Sequence, residues 1–158
     1  MPFITNLWFD TQAEEAAAFY TSVFPHSSID RIAYYGPENE DRNGQVMVVY
    51  WTANGQQFAG INGGPQFSFD EAVSFEIRCA DQAEVDHWWT TLSEGGSEGP
   101  CGWLKDKFGV SWQVVPEQME ALMLDPDRER ANRAVGAMLT MGKLDIAALQ
   151  RAADGVEV

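Results

Sequence analysis

The chain runs through one structural plan twice, and this repetition constrains its fold more than any other feature. The segment Phe3 to Phe9 reads as a strand. Asp10 and Thr11 stop it and cap a helix over 12–24, whose Ala13, Ala16, Ala17, Tyr20, Val23 and Phe24 share one face before Pro25 ends it. Strands are expected over 29–35, 45–52 and 56–62, the last two joined at Asn54-Gly55, a pair suited to positive φ in a tight hairpin. Asn62-Gly63-Gly64-Pro65 then opens a linker. The pattern restarts with Val73, Phe75, Ile77 and Cys79 alternating against Ser74, Glu76 and Arg78, the period of a half-buried strand. A helix over 82–94 follows, with Val85, Trp88, Trp89 and Leu92 on one face and Gly95-Gly96 at its end. Short strands are expected over 98–101, 103–106 and 110–115.

Residue identity echoes the plan. Gln12-Ala13-Glu14 returns as Gln82-Ala83-Glu84, an offset of 70 residues, inside the same order of elements. From Pro116 the chain reads as helical. Asp125-Pro126-Asp127 caps a helix to about Met141, and Asp145 starts a last one to about Ala153. The expected organisation is α+β: a paired βαβββ domain over 1–115, with modules at about 1–65 and 70–115, and a helical extension over 116–158.

Charge narrows the partners. The 158 residues carry 24 acidic and 10 basic side chains, a formal net charge of −14. Such a chain repels phosphate backbones and anionic lipid, so no nucleic-acid or membrane partner is expected. No apolar run approaches the roughly 20 residues of a membrane helix. Met1-Pro2-Phe3-Ile4 does not open as a basic leader followed by an apolar stretch. Cys79 and Cys101 are too few for a disulfide framework or a zinc ribbon, and reduced thiols in a cytoplasmic protein are the expectation.

Several segments carry a family resemblance: Leu7-Trp8-Phe9-Asp10 with Ala13-Glu14-Glu15-Ala16 and Phe19-Tyr20; Asn62-Gly63-Gly64-Pro65; Glu71-Ala72-Val73-Ser74-Phe75; and the run from Cys101 through Phe108-Gly109 to Gln113. In these the chain resembles the PhnB-like branch, labelled 3-demethylubiquinone-9 3-methyltransferase-like, of the vicinal oxygen chelate (glyoxalase/bleomycin-resistance) superfamily. The resemblance implies that the two modules form a cup, and that metal-using members place one ligand on the first and last strands of each module. Here those places fall at Ile4 (or Thr5 in a register slipped by one), Ala59, Ser74 and Gln113. Ile4 and Ala59 offer no donor, serine is a poor ligand, and only Gln113 is a usual one. His26 follows a helix-ending proline and His87 lies in a helix, so neither belongs to a cup strand. No metal and no cofactor are expected.

What remains on the cup faces is Asn6, Gln57, Ser74, Glu76, Arg78 and Gln113, with Trp8 and Trp103 as aromatic walls and Trp51 as a third candidate. Tryptophans with a few polar groups suit a flat or amphipathic small molecule. Glu76 and Arg78 either pair with each other or serve a ligand, Arg78 as an anion anchor and Glu76 as acceptor or base. Cys101 reads as a turn thiol and Cys79 as core, and the Met119, Leu122, Met123 and Met138, Leu139, Met141 groups as packing faces. Three functions compete: a metal-free small-molecule binder, an enzyme (a metal-dependent lyase or isomerase, or the methyltransferase of the family label), and a dimer whose cup is filled by its own tryptophans. The superfamily commonly pairs modules between chains, which implies a homodimer. The apolar stripe Ala131, Ala134, Val135, Met138, Leu139 needs cover from its own subunit or from a partner.

Overall fold

A computed structural model describes residues 3–156; Met1-Pro2, where the leader reading begins, lies outside the described residues. The first module comprises β1 (Thr5–Phe9), α1 (Ala13–Val23), β2 (Ser28–Tyr34), β3 (Val46–Ala53) and β4 (Gln56–Asn62). The second comprises β5 (Phe75–Cys79), α2 (Gln82–Ser93), β6 (Ser97–Glu98), β7 (Trp103–Lys105) and β8 (Ser111–Pro116). The tail adds α3 (Glu117–Met123), α4 (Arg128–Met138) and α5 (Ile146–Ala153). The fold is α+β with two four-stranded mixed sheets, ordered β1-β4-β3-β2 and β5-β8-β7-β6, the same order twice. β1 and β5 keep the 70-residue offset of the sequence echo.

In the first module, Leu7, Phe9, Trp51 and Phe58 turn to one side of the sheet, under Ala13, Ala16, Ala17 and Tyr20 of α1. Trp51 stacks on Phe58 at 5.5 Å and on Tyr20 at 6.0 Å. Such pairs add about 0.5–1.5 kcal/mol beyond the area they bury. Asn54 and Gly55 hold φ of 47° and 77°, so the hairpin forms as expected. The cap of α1 differs from expectation. Gln12 occupies the cap without a side-chain bond, and the buried amide of Asn62, at the end of β4, accepts the Ala13 N–H at 2.8 Å. A neighbouring strand thus supplies what Asp10 and Thr11 were expected to give.

In the second module, Cys79, Leu104, Trp112 and Val114 pack with Val85, Trp89 and Leu92 of α2. Asp81 caps α2 by accepting the Glu84 N–H. Val73 falls outside β5 and is 70% exposed, so the apolar face of that strand begins at Phe75 rather than at Val73. Asp106 is buried beside β8 and accepts N–H bonds from Phe108, Val110 and the Trp112 indole.

The chain divides into two compact units, one ending at Phe69 and the other starting at Asp70. The tail therefore belongs to the second module instead of standing apart after residue 115. Met119, Leu122, Ala134, Leu144, Leu149 and Ala153 form its core, with Val135 and Met138 packed against them. The stripe on α4 is thus covered within its own unit, except for Leu139 at 63% exposed. Met123 is also open to solvent, so of the two methionine groups Met119 and Leu122 are core, and Met138 and Met141 are half-buried against it. α4 ends at Met138, three residues earlier than expected, and Asp127 and Asp145 cap α4 and α5.

Candidate functional site

Register decides which side chains share a face. In the second sheet, parallel β5 and β8 place Glu76 beside Gln113, and antiparallel β7 places Trp103 on the far side of Gln113. Glu76, Gln113 and Trp103 form one row across the face opposite α2. Arg78 beside Val115 forms the next row on one side, and Lys105 beside Ser111 the next on the other. Ser74, just before β5, accepts the Gln113 amide N–H at 2.9 Å. Five of the eight expected site residues therefore lie together on this face.

The other three share a face of the first sheet. Asn6 stands beside Ala59 and Trp8 beside Ile61, with Gln57 two residues before Ala59. Asn6 is exposed and its side-chain amide donates to the Ile4 carbonyl. Trp8 is held by its own module: its indole N–H donates to Gly64 O at 2.8 Å, and its ring meets Phe67 edge-on at 5.1 Å. A Cβ on Gly63 would lie 2.0 Å from that ring, so the glycine is required there. Trp51 is a correction. It pairs with Phe58 on the helix side and is 1% exposed, so its ring belongs to the core under α1 and not to the row of Asn6 and Ala59. Tyr50 takes that place, beside Ala59, with the Arg31 guanidinium 4.1 Å above its ring. Sequence reasoning missed Tyr50 and Arg31, although a two-residue hairpin at Asn54-Gly55 and a cup-facing Ala59 together require Tyr50 on that face.

A cavity of about 530 Å³ lies wholly in the second module. Its apolar wall is Trp103, Leu104, Pro100 and Cys101, and its rim carries the Lys105–Glu71 ion pair at 2.7 Å. Lys105, by hydrogen bond and charge, holds the Glu71 carboxyl below the usual carboxylate range. The wall is a tight turn. Gly99 N–H donates to Trp103 O, and Trp103 N–H to Pro100 O. Cys101 and Gly102 take φ of 56° and 83°. Their N–H groups donate to Met141 O and Gly142 O, each at 2.7 Å, so the tail backs the pocket. Trp103 is the one residue of this pocket among the eight expected.

Electrostatics sort the rest. Arg78 bonds Glu76 at 3.2 Å and Glu120 at 2.9 Å, so two carboxylates neutralise it. They sit over a dent of about 150 Å³ that includes Glu117 and Met123. Cys79 is fully buried, and burial first, with Glu84 and Asp81 adding, pushes its thiol up to about 11. Cys101 is half-buried.

The metal places of the superfamily do not fit an ion. Ile4 and Ala59 lack donors, and Ser74 and Gln113 bond each other. The equivalence of these places is visible in register, since Asn6 beside Ala59 matches Glu76 beside Gln113. No group of three or more His, Cys, Asp and Glu among the described residues could hold an ion. His26 lies exposed in the turn after α1, and His87 is exposed on α2 against the edge of Trp88.

A family model described as 3-demethylubiquinone-9 3-methyltransferase matches residues 2–115. The PhnB protein of Bacillus cereus is similar at 34% identity, over 73% of this chain and 99% of that one, with a TM-score of 0.64. Protein PA1353 from Pseudomonas aeruginosa has the same fold at 20% identity, over 74% and 98% of the chains, with a TM-score of 0.61. The fosfomycin resistance protein FosX from Listeria monocytogenes shares the fold at 12% identity, over 79% and 97%, with a TM-score of 0.53. No curated protein matches the chain. Sheet order, repeated modules and the model match agree: the chain has the fold it shares with FosX, and it belongs to the PhnB-like, 3-demethylubiquinone-9 3-methyltransferase-labelled family.

Proposed function

We propose that the protein binds a small molecule without a metal or cofactor, and that the ligand is a flat apolar or amphipathic molecule seated against Trp103. The observation that carries this reading is the 530 Å³ pocket with Trp103, Leu104, Pro100 and Cys101 in its wall. A cavity of that size, apolar with polar groups at its rim, is typical of small-molecule sites. Ser74, Glu76, Arg78 and Gln113 extend the site along the same sheet face. Asn6, Trp8 and Gln57 are the corresponding polar and aromatic set of the first module. The bonds within Ser74–Gln113 and Glu76–Arg78 favour holding a ligand over moving a proton, because they engage the polar side chains of the Trp103 row with one another. A FosX structure carries Mn(II), but the donor set of this chain does not repeat a divalent site.

Tryptophan fluorescence on a library of flat aromatic acids and neutral aromatics tests the reading. Saturable quenching that Trp103→Phe removes is the expected result. No quenching by any compound, with Trp103→Phe changing only stability, would overturn it. Metal analysis of the purified protein should find no stoichiometric ion, and one ion per chain that Gln113→Ala releases would contradict that part.

The family description favours methyl transfer as a second reading. Gly63-Gly64 follows β4 but leads into a turn and linker, not a helix, so the strand–glycine turn–helix cradle used by most S-adenosylmethionine enzymes is not formed there. S-adenosylmethionine titrated by calorimetry separates the two readings. A homodimer and a cytoplasmic location belong to the same proposal. Exposed Met123, Leu124 and Leu139 are the apolar candidates for the dimer contact, and light scattering reads the mass. Among the described residues no helix is long and apolar enough to cross a membrane.

A further inference from the structure

A second cavity, about 380 Å³, lies wholly in the first module and plays no part in the ligand site proposed above. Its polar lining includes Asp10, Glu14, Tyr35, Arg42, Gln45 and Asn62. It sits where β1 and β4 end and α1 begins, beside the segment that joins β2 to β3. That segment is ordered by its own hydrogen bonds, among them Tyr35 N–H to Gln45 O, Gly44 N–H to Tyr35 O and Gln45 N–H to Arg42 O.

Arg42 is fixed from one side. Its Nη1 donates to the Tyr35 hydroxyl at 3.1 Å and to Asn62 O at 3.2 Å, while the guanidinium lies 5.4 Å from the centre of the Tyr35 ring. Tyr35 is fixed in turn by donating to Asn62 O at 2.7 Å. Gly64, at φ of +105°, leaves the room: a Cβ there would lie 2.9 Å from Arg42 Nη2. The Asn62-Gly63-Gly64-Pro65 motif thus both caps α1 and admits this arginine. Among the described residues Arg42 has no carboxylate partner, in a chain with 24 acidic residues against 10 basic ones. Asp10 and Glu14 line the same cavity, and among the described residues neither makes an ion pair or a side-chain hydrogen bond.

We propose that this cavity is a second binding site, for a small zwitterion with an anionic head for Arg42 and an ammonium for Asp10 and Glu14. A guanidinium anchored through Nη1, with no bond from Nε or Nη2 among the described residues, suits two-point contact with a carboxylate. Two unpaired carboxylates on the same wall suit an ammonium, and they disfavour a purely anionic ligand. The volume exceeds that of a single amino acid and admits a dipeptide.

Amide and arginine Nε–H spectra of the 15N-labelled full-length protein test this, with L-serine and glycylglycine as probes. L-serinamide lacks the carboxylate, and N-acetyl-L-serine lacks the ammonium. Both zwitterions should produce saturable shifts at Arg42 Nε–H and at the Gly44 and Gly64 amides. Each blocked analogue should bind at least about tenfold more weakly, as should L-serine to Arg42→Gln. Quenching at Trp103 should be unchanged in that variant, which separates this site from the first. Absence of a saturable shift from either zwitterion would overturn the proposal. So would equal binding of serinamide, or full binding by Arg42→Gln. If Arg42→Gln fails to fold, Asp10→Asn with Glu14→Gln decides, since both side chains are exposed. There, L-serine should lose its advantage over N-acetyl-L-serine, and an unchanged preference would overturn the proposal.

Discussion

β2 and β3 of the first module run for seven and eight residues, while their counterparts β6 and β7 run for two and three. The shortening follows from Gly95-Gly96, Gly99-Pro100 and Gly102. A Cβ on Gly96 would lie 2.0 Å from Lys105 O, and one on Gly99 would lie 2.9 Å from Trp103 O. These close backbone approaches turn the chain where the first module continues its ladder. The long ladder places Tyr50, Ala59 and Asn6 in a continuous row and leaves a recess of about 200 Å³ beside Gln57 and Arg31. The short one leaves the pocket at Trp103, closed from behind by the tail. One plan, repeated, gives a sheet surface in one module and a pocket in the other.

The modules also anchor their buried tryptophans differently. Trp112 donates to Asp106, whereas the Trp51 indole N–H has no partner among the described residues. The largest expected effect therefore falls on Asp106→Ala. It strands two buried N–H donors, those of Val110 and the Trp112 indole, and the half-buried Phe108 N–H, and should cost about 3 kcal/mol or more. Hydrogen exchange should show lost protection in β7 and β8 and retained protection in β3 and β4. Equal loss in both would mean that the modules unfold as one, which breaks the comparison. Next, Trp112→Phe should destabilise by about 1–2 kcal/mol more than Trp51→Phe in urea unfolding, because only the former removes a bonded donor, the one that Asp106 Oδ2 accepts.

Glycines sharpen the contrast at a smaller scale. Gly102 holds φ of +83° with Val114 O 2.8 Å from its hypothetical Cβ, while Gly55 at +77° has open space around it. Gly102→Ala should cost about 2 kcal/mol and Gly55→Ala about 1 kcal/mol, read as shifts in unfolding midpoint.

The smallest effect is acid sensitivity. Four carboxyls of the second unit are held below their ordinary range. Lys105 lowers Glu71, and Lys143 with Gln82 lowers Asp86. The Asp127 N–H and Arg130 lower Asp125, while Gln150 and Arg130 lower Asp154. A depressed folded value stabilises above the unfolded one, and the contribution disappears as pH falls through the folded value. Amides of the second module should therefore lose protection first as pH drops below the ordinary carboxylate range. The effect is small, since these pairs are exposed. Equal loss in the first module would show that these pairs do not set the acid response.

Much of this was legible in the chain. Period-two alternation fixed β5, and the Asn54-Gly55 turn fixed the β3–β4 register. The faces of Asn6, Trp8, Glu76, Arg78 and Gln113 follow from that alternation. Trp51 was misplaced because a tryptophan in a strand reads equally well toward either face until its partner Phe58 is known. The Trp103 pocket was not legible beyond Trp103 itself. Its wall depends on a turn held by Met141 and Gly142, about forty residues away in sequence, and no local pattern reports such a contact. The Arg78–Glu120 pair escaped notice for the same reason, since α3 brings the second carboxylate.

The central claim is that the second module holds a small molecule against Trp103. Its most direct measurement is a fluorescence titration of the wild type and Trp103→Phe with the aromatic library, repeated on Trp8→Phe as the first-module control. The account predicts saturable quenching that Trp103→Phe abolishes and Trp8→Phe leaves largely intact. Binding that survives Trp103→Phe and disappears with Trp8→Phe would contradict it.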